Sequence, residues 1–85
     1  MSELHEKFGE LLRLERQRRS VDLADVSAQL KITETNLTYI ENGSLEELPD
    51  ELYYNLFAKS YAEFLGIDYS KTLEAIREKL DLFHC

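Results

Sequence analysis

The chain has 85 residues, of which 44% are apolar and 32% charged, a composition typical of a small globular protein. Seventeen acidic residues against ten basic ones give a net charge of −7, which disfavours binding to a polyanion such as DNA. A chain of this length makes one domain at most, residues 1–85, with little room for an enzyme cleft. No nucleophile with a base and no glycine-rich phosphate loop is recognisable, so we expect neither an enzyme nor a cofactor.

One cysteine, Cys85, is the last residue, so an internal disulfide cannot form and a reducing compartment, the cytoplasm, is expected. We interpret Cys85 as a boundary residue rather than a reactive thiol. His5 and His84 have no other metal ligands at suitable spacing, so we expect two solvent-exposed side chains and no metal site. No apolar run approaches the ~18 residues of a membrane span, and no secretory signal is present at the N-terminus.

Apolar residues recur three and four positions apart along the chain, which predicts an all-α fold of five helices. In the first helix, one stripe is predicted to face the core: Leu4, Phe8, Leu11 and Leu12. Glu15 can pair with Arg19 one turn later on the same helix. Gly9 costs this helix about 1 kcal/mol relative to Ala, so we expect close packing of another element against it.

Two short helices joined by a turn follow. Asp22 is expected to cap the second helix and Thr33 the third, with Lys31 and Ile32 in the turn between them. The pair Asn42-Gly43 ends the third helix. The side chains expected to face inward are Leu23, Val26, Leu30, Leu37 and Ile40. This pattern is typical of a helix-turn-helix, here over about residues 22–43.

The remaining sequence predicts a fourth and a fifth helix. Pro49 fits the first turn of the fourth helix, where its missing N–H costs nothing, and Gly66 ends that helix. Ser70 is expected to cap the fifth helix. The core face of the fourth helix is predicted to be formed by Tyr54, Tyr61 and Leu65.

The fourth helix carries more apolar residues than one core face needs. Leu52 and Leu56 fall outside the ~100° stripe that a surface helix normally buries, and Tyr53 and Phe57 lie beside them. Aromatic and leucine side chains next to a charged residue, here Lys59, are typical of a protein-binding patch. Extra packing within the fold is the alternative interpretation.

Four stretches of the sequence form a recognisable pattern: FGELLRLERQRRS at residues 8–20, Lys31-Ile32, YIENGSLEELP at residues 39–49 and LYYNLFAKSYAEFLGID at residues 52–68. In order, and in spacing from residue 9 to residue 68, they resemble the RodZ-like cytoplasmic helix-turn-helix domains of the lambda-repressor-like superfamily. The resemblance implies a five-helix lambda-repressor-like fold. One departure is the pair Asn55-Leu56, which stands where family members commonly have Arg-Gly.

The resemblance also implies a function, an adaptor that binds the bacterial actin MreB through the fourth helix in cell-shape maintenance. Tyr53 and Phe57 match the aromatic residues that make this contact in RodZ-like domains, Leu52 and Leu56 would widen it, and Lys59 could meet acidic groups on the filament. If the chain is a fragment of a longer protein, the resemblance implies a tether to the inner face of the cell membrane.

The alternative is a DNA-binding transcriptional regulator of the lambda-repressor type. The candidate DNA-contacting residues are Lys31, Glu34, Thr35, Asn36, Thr38 and Tyr39. Among them only Asn36 is a good reader of bases, and Glu34 and Glu41 bring negative charge to this helix. Phosphate contacts would fall to Lys31 and to the arginines of the first helix, Arg13, Arg16, Arg18 and Arg19. Because a well-anchored complex neutralises roughly 6–10 phosphates, charge disfavours DNA.

Overall fold

The computed structural model describes residues 3–83, and this range contains five α-helices and one turn of 3-10 helix. In chain order the elements are α1 (Glu3–Arg18), α2 (Leu23–Leu30), α3 (Glu34–Asn42), the 3-10 turn (Leu45–Glu47), α4 (Glu51–Phe64) and α5 (Tyr69–Phe83). No strand occurs between residues 3 and 83, so the all-α prediction is confirmed. His84 and Cys85, for which predictions were made above, lie outside the described residues.

The predicted helix-turn-helix is formed by α2 and α3. Lys31 adopts the left-handed conformation with φ 58°, which ends α2 and directs the chain to the buried Ile32. Thr33 caps α3 as predicted, because its hydroxyl oxygen accepts a hydrogen bond from the backbone N–H of Asn36 at 3.2 Å. Gly43, with φ 69°, ends α3. The turn and both ends of α3 therefore follow from the residue types that the sequence places there.

The core collects side chains from α1 to α4 and from the segments between them, and α5 packs on α1 and α4. The fully buried large residues are Phe8, Leu12, Val26, Leu37, Ile40, Tyr54, Tyr61 and Leu65. The predicted burial of Tyr54 and Tyr61 on α4, and of Leu65 directly after it, is confirmed. Burying a side chain of this size contributes about 1.5–3 kcal/mol to the free energy of unfolding.

Two glycines bring α1 and α3 into close contact. A Cβ atom on Gly9 would collide with the backbone carbonyl oxygens of Ile40 and Glu41 on α3. A Cβ atom on Gly43 would lie 2.6 Å from the backbone nitrogen of Glu6 on α1. The close packing expected at Gly9 is confirmed, and it fixes the crossing of the first helix over the third.

A buried ion pair joins α1 to α3 near this crossing. Nε of Arg16 donates to a carboxylate oxygen of Glu41 at 2.8 Å, and its Nη1 donates to the carbonyl of Val21 at 3.0 Å. The hydroxyl of Tyr61 on α4 also donates to the Glu41 carboxylate. The hydrogen bond to Glu41 raises the pKa of Arg16, and burial together with this contact raises the pKa of Tyr61. Three helices thus share one carboxylate.

The start of α4 differs from the prediction. The helix begins at Glu51, and Asp50 caps it by accepting a hydrogen bond from the backbone N–H of Leu52 at 3.0 Å. Pro49 therefore precedes the cap and does not occupy the first turn. The carboxylate at position 50 decides the boundary, because it accepts a hydrogen bond from a backbone N–H of the first turn, whereas proline has no side-chain acceptor.

The start of α5 also differs from the prediction. The carboxylate of Asp68 accepts a hydrogen bond from the backbone N–H of Lys71 at 2.9 Å, so Asp68 and not Ser70 occupies the capping position. At α2 the expected cap residue, Asp22, is in place but its side chain makes no capping hydrogen bond. The start of α5 is thus marked by Asp68 and not by Ser70, two positions later.

Leu11 lies at the surface, which corrects its predicted place in the core stripe of α1. It is 38% exposed, because α1 directs Phe8, Gly9 and Leu12 inward. Leu11 instead lines a groove of about 500 Å³ between α1 and α5, and Leu14 lines it too. The core stripe of α1 is therefore narrower than the sequence pattern predicted.

His5 is half-buried, which corrects its predicted exposure to solvent. Its ring packs edge-on against Tyr54 with 4.7 Å between the ring centroids. Nδ1 of His5 and the hydroxyl of Tyr54 are both buried and make no hydrogen bond within the described part of the chain. Burial lowers the pKa of His5, so the neutral imidazole is favoured at this position.

Candidate partner-binding and nucleic-acid surfaces

Helix α4 has a buried side and an exposed side. Its buried residues are Tyr54, Ala58, Tyr61 and Ala62, which recur at helical spacing and face the core. The opposite side carries a group of apolar residues that we call the α4 surface, defined as Leu52, Tyr53, Leu56 and Phe57. These are four of the five residues that the sequence analysis selected for partner binding.

Three of these four side chains are open to solvent. Leu52 is 62% exposed, Leu56 is 55% exposed and Tyr53 is 45% exposed. Phe57 is half-buried and packs partly against the core. The rings of Tyr53 and Phe57 contact each other at a centroid distance of 5.7 Å. The predicted alternative, extra packing within the fold, therefore applies to part of Phe57 and not to the two leucines.

The flank of α4 towards α5 is held by a polar contact. The hydroxyl of Tyr69 donates a hydrogen bond to the side-chain oxygen of Asn55 at 3.2 Å, and the Tyr69 ring also packs edge-on against Phe8. Burial raises the pKa of Tyr69. Asn55, where the sequence departs from the RodZ-like pattern, thus has a structural role between α4 and α5 in this chain.

The fifth predicted partner-binding residue, Lys59, is exposed one turn beyond Asn55. Phe64, at the end of α4, is 36% exposed, although the sequence analysis did not select it. A helical wheel places Phe64 beside Tyr53 and Phe57, so its position on the helix was the available signal. It extends the exposed apolar area towards the C-terminal end of α4.

The outer face of α3 carries the alternative, DNA-contacting set. Four members of this set are exposed, namely Lys31, Glu34, Thr35 and Thr38. Asn36 and Tyr39 are half-buried. The hydroxyl of Thr38 donates to the backbone carbonyl of Glu34 at 2.8 Å, so that donor is already used within the helix. Lys31 is the only basic residue of this set.

Three of the four arginines expected to supply phosphate contacts form ion pairs within the molecule, whereas the fourth, Arg13, is exposed. Arg16 forms an ion pair with Glu41, and its side chain is only 13% exposed. Arg18 and Arg19 both pair with Glu15 at 2.7 Å, as predicted for Arg19. Hydrogen bonds from Arg18 and then Arg19 lower the pKa of Glu15 to about 2. Exposed pairs such as these contribute little stability, but they neutralise charge locally.

Glu41 does not add to the charge of the α3 face, which corrects its predicted contribution there. Its side chain is 6% exposed and paired with Arg16, so the negative charge is neutralised beneath the helix. Glu34 remains as the exposed carboxylate of the first turn of α3. Lys31 and Glu34 are then the two charged residues of the predicted DNA-contacting set, so the set has no net charge.

Between residues 3 and 83, no three His, Cys, Asp or Glu side chains lie close enough to hold a metal ion. In the same range no helix combines the length and the apolar character that crossing a membrane requires.

Five α-helices, with α2 and α3 in a helix-turn-helix arrangement, define an all-α helix-turn-helix domain. The model of a family described as "Helix-turn-helix domain" matches residues 11–73, which is more than half of the chain. The chain belongs to this helix-turn-helix domain family.

One curated relative is "Uncharacterized membrane protein YmfM" from Bacillus subtilis (strain 168). The two sequences are 35% identical over 54 residues, which cover 64% of this chain and 19% of the relative. The similarity therefore spans a small part of the relative's length. No solved structure matches the chain.

Proposed function

We propose that residues 1–85 act as one non-catalytic interaction domain of the RodZ type, which binds the bacterial actin MreB through the α4 surface in cell-shape maintenance. The observation that carries this proposal is the exposure of Leu52, Tyr53 and Leu56 on one side of a helix whose other side is fully buried. Contiguous exposed apolar residues of this kind mark interaction sites.

Each residue of the α4 surface has a distinct role in the proposed contact. Tyr53 and Phe57 form a ring pair that is already in place before binding, so little conformational entropy is lost on association. Leu52 and Leu56 enlarge the apolar contact, and covering the part of each that is still exposed, 62% and 55%, contributes a fraction of the ~1.5–3 kcal/mol that burying a whole leucine gives. Lys59 lies at the edge and pairs with acidic groups of the filament.

The family match is compatible with this proposal, because the matched residues, 11–73, include all of α4 and the start of α5. The name of the Bacillus subtilis relative describes a membrane protein, and we propose that this domain also acts at the inner face of the membrane as part of a longer chain.

The experiment is co-sedimentation of the 85-residue chain with polymerised MreB from the same organism. We expect Tyr53→Ala/Phe57→Ala to abolish binding, since an anchor residue contributes about 2 kcal/mol, or roughly a thirtyfold change in Kd. Phe57 packs partly on the core, so circular dichroism must first show that the double variant keeps its helices.

The matched control is Leu14→Ala, which removes a leucine that is 53% exposed on α1. We expect this variant to sediment with the filament as the wild type does. Binding retained by the folded double variant would contradict the assignment of the α4 surface.

A second candidate function is DNA binding by the lambda-repressor mode, which the helix-turn-helix family and the exposed outer face of α3 favour. Lys31, Thr35 and Asn36 would enter the major groove, and the exposed Arg13 on α1 would be a candidate for a phosphate contact. The test is a titration with mixed-sequence DNA at low salt. Affinity that falls steeply with salt and is lost in Lys31→Ala would support this function, and binding undetectable at low salt would remove it.

A further inference from the structure

We infer that the partner of the α4 surface carries basic residues beside its apolar contact site, on the side that meets the N-terminal end of α4. This inference rests on the proposed function and specifies the chemistry of the partner and the direction in which α4 lies on it. It combines the apolar α4 surface with the charges that surround it.

Negative charge is concentrated at the N-terminal end of α4. Four exposed carboxylates occupy the 3-10 turn and the first residues of the helix: Glu46, Glu47, Asp50 and Glu51. The 3-10 turn packs against α4, so these groups stay close to the helix. The segment from residue 32 to residue 58 contains no Lys or Arg, and none of the four makes an ion pair within residues 3–83. Asp50 also caps α4 and the charge of Glu51 acts on His5, so the charges of Glu46 and Glu47 are the ones most available to a partner.

The C-terminal half of α4 is close to neutral in comparison. Lys59 and Glu63 are four residues apart on the exposed side, where opposite charges offset each other. The apolar α4 surface is thus bordered by excess negative charge at one end only. A complementary partner has an apolar site with Lys or Arg at the corresponding end, and this asymmetry fixes the orientation of α4.

The same charge distribution argues against three other occupants. Anionic lipid and nucleic acid would bring negative charge to an acidic edge. A second copy of this chain, with its net charge of −7, would place like charges together around a shared two-fold axis. A protein with a basic rim is the occupant that the charges favour.

The experiment compares two double variants in co-sedimentation with polymerised MreB between low and high salt. Glu46→Gln/Glu47→Gln removes two charges at the acidic end without touching a cap or an ion pair. Glu10→Gln/Glu78→Gln removes the same number of exposed charges from α1 and α5. We expect the first variant to bind roughly three- to tenfold more weakly at low salt, and the control to bind as the wild type does. The difference should shrink at high salt, because screening weakens contacts at the edge of an interface.

The outcomes distinguish an error in the basic rim of the partner from an error in the proposed function. If the wild type binds, Tyr53→Ala/Phe57→Ala does not, and the two charge variants bind alike, the basic rim is wrong while the proposed function stands. If removal of Glu46 and Glu47 charge strengthens binding, the rim of the partner is acidic and the inference is overturned. If the wild type does not bind at any salt concentration, the proposed function fails and this inference fails with it.

Discussion

Arg16 and Glu41 are 25 residues apart in the sequence, yet the guanidinium of the first lies 2.8 Å from the carboxylate of the second. Both side chains are largely buried, and Tyr61 donates a third contact to the same carboxylate. Removing one partner of a buried pair leaves the other charge without compensation, which costs more than the pair contributes.

We therefore expect Arg16→Met to lower the free energy of unfolding by about 3–5 kcal/mol. Glu41→Gln should cost less, because the amide oxygen can still accept from Tyr61 and Arg16 keeps its contact with the carbonyl of Val21. Urea denaturation followed by circular dichroism measures both. Arg13→Met serves as the control on the exposed side of α1. Equal stability of the Arg16 and Arg13 variants would show that the buried pair does not hold the three helices together.

The second prediction concerns the crossing of α1 over α3. Alanine at position 9 would gain about 1 kcal/mol of helix propensity, but its Cβ atom meets the backbone of Ile40 and Glu41, which cannot move without shifting α3. Overpacking of this kind typically costs about 1–3 kcal/mol. We expect Gly9→Ala to destabilise the protein, and its melting temperature to fall below that of the wild type.

Gln17→Ala is the control, since Gln17 is exposed on the same helix. Its melting temperature should stay within a few degrees of the wild type. A Gly9→Ala variant as stable as Gln17→Ala would mean that α1 and α3 can separate at little cost.

What the sequence predicted correctly depends on neighbours along the chain. Thr33 marks the start of α3 and Gly43 marks its end. Helical spacing predicted that Tyr54 faces the core and that Leu52 is exposed to solvent. What it missed depends on contacts between distant segments. Glu41 looks like a surface charge in its own helix, and only the position of α1 makes it a buried partner of Arg16.

The candidate site divides in the same way. Exposure of Leu52 and Leu56 follows from their angular position on one helix, which the sequence gives directly. The half-burial of Phe57 and of His5 depends on how other helices pack around them, so periodicity alone did not predict it.

The third prediction concerns pH. Burial lowers the pKa of His5 below 6.5, and Glu51 opposes this while Arg77 adds to it. The unfolded chain therefore binds a proton at this site at a higher pH than the folded chain does. Stability linked to His5 is fully present above pH 6.5 and is lost as the pH falls from 6.5 towards the lowered pKa.

His5→Phe removes this titration and keeps an aromatic ring against Tyr54. We expect the difference in unfolding free energy between variant and wild type to shift in favour of the variant between pH 7.5 and 5.5, by less than about 1.4 kcal/mol per pH unit. The two proteins differ only at position 5, so the comparison isolates the contribution of this residue. A difference that stays constant across this range would contradict the assignment.

The last prediction separates the α4 surface from the core. Leu56 is 55% exposed and Leu37 is fully buried, so the same substitution has different consequences at the two positions. Leu56→Ala should change the free energy of unfolding by less than about 0.5 kcal/mol, whereas Leu37→Ala should lower it by about 2–5 kcal/mol. Chemical denaturation of the two variants in parallel gives both values. A large loss in Leu56→Ala would mean that this residue packs within the fold and is not free for a partner. A negligible loss, combined with weaker filament binding, would show that Leu56 is used for recognition and not for folding.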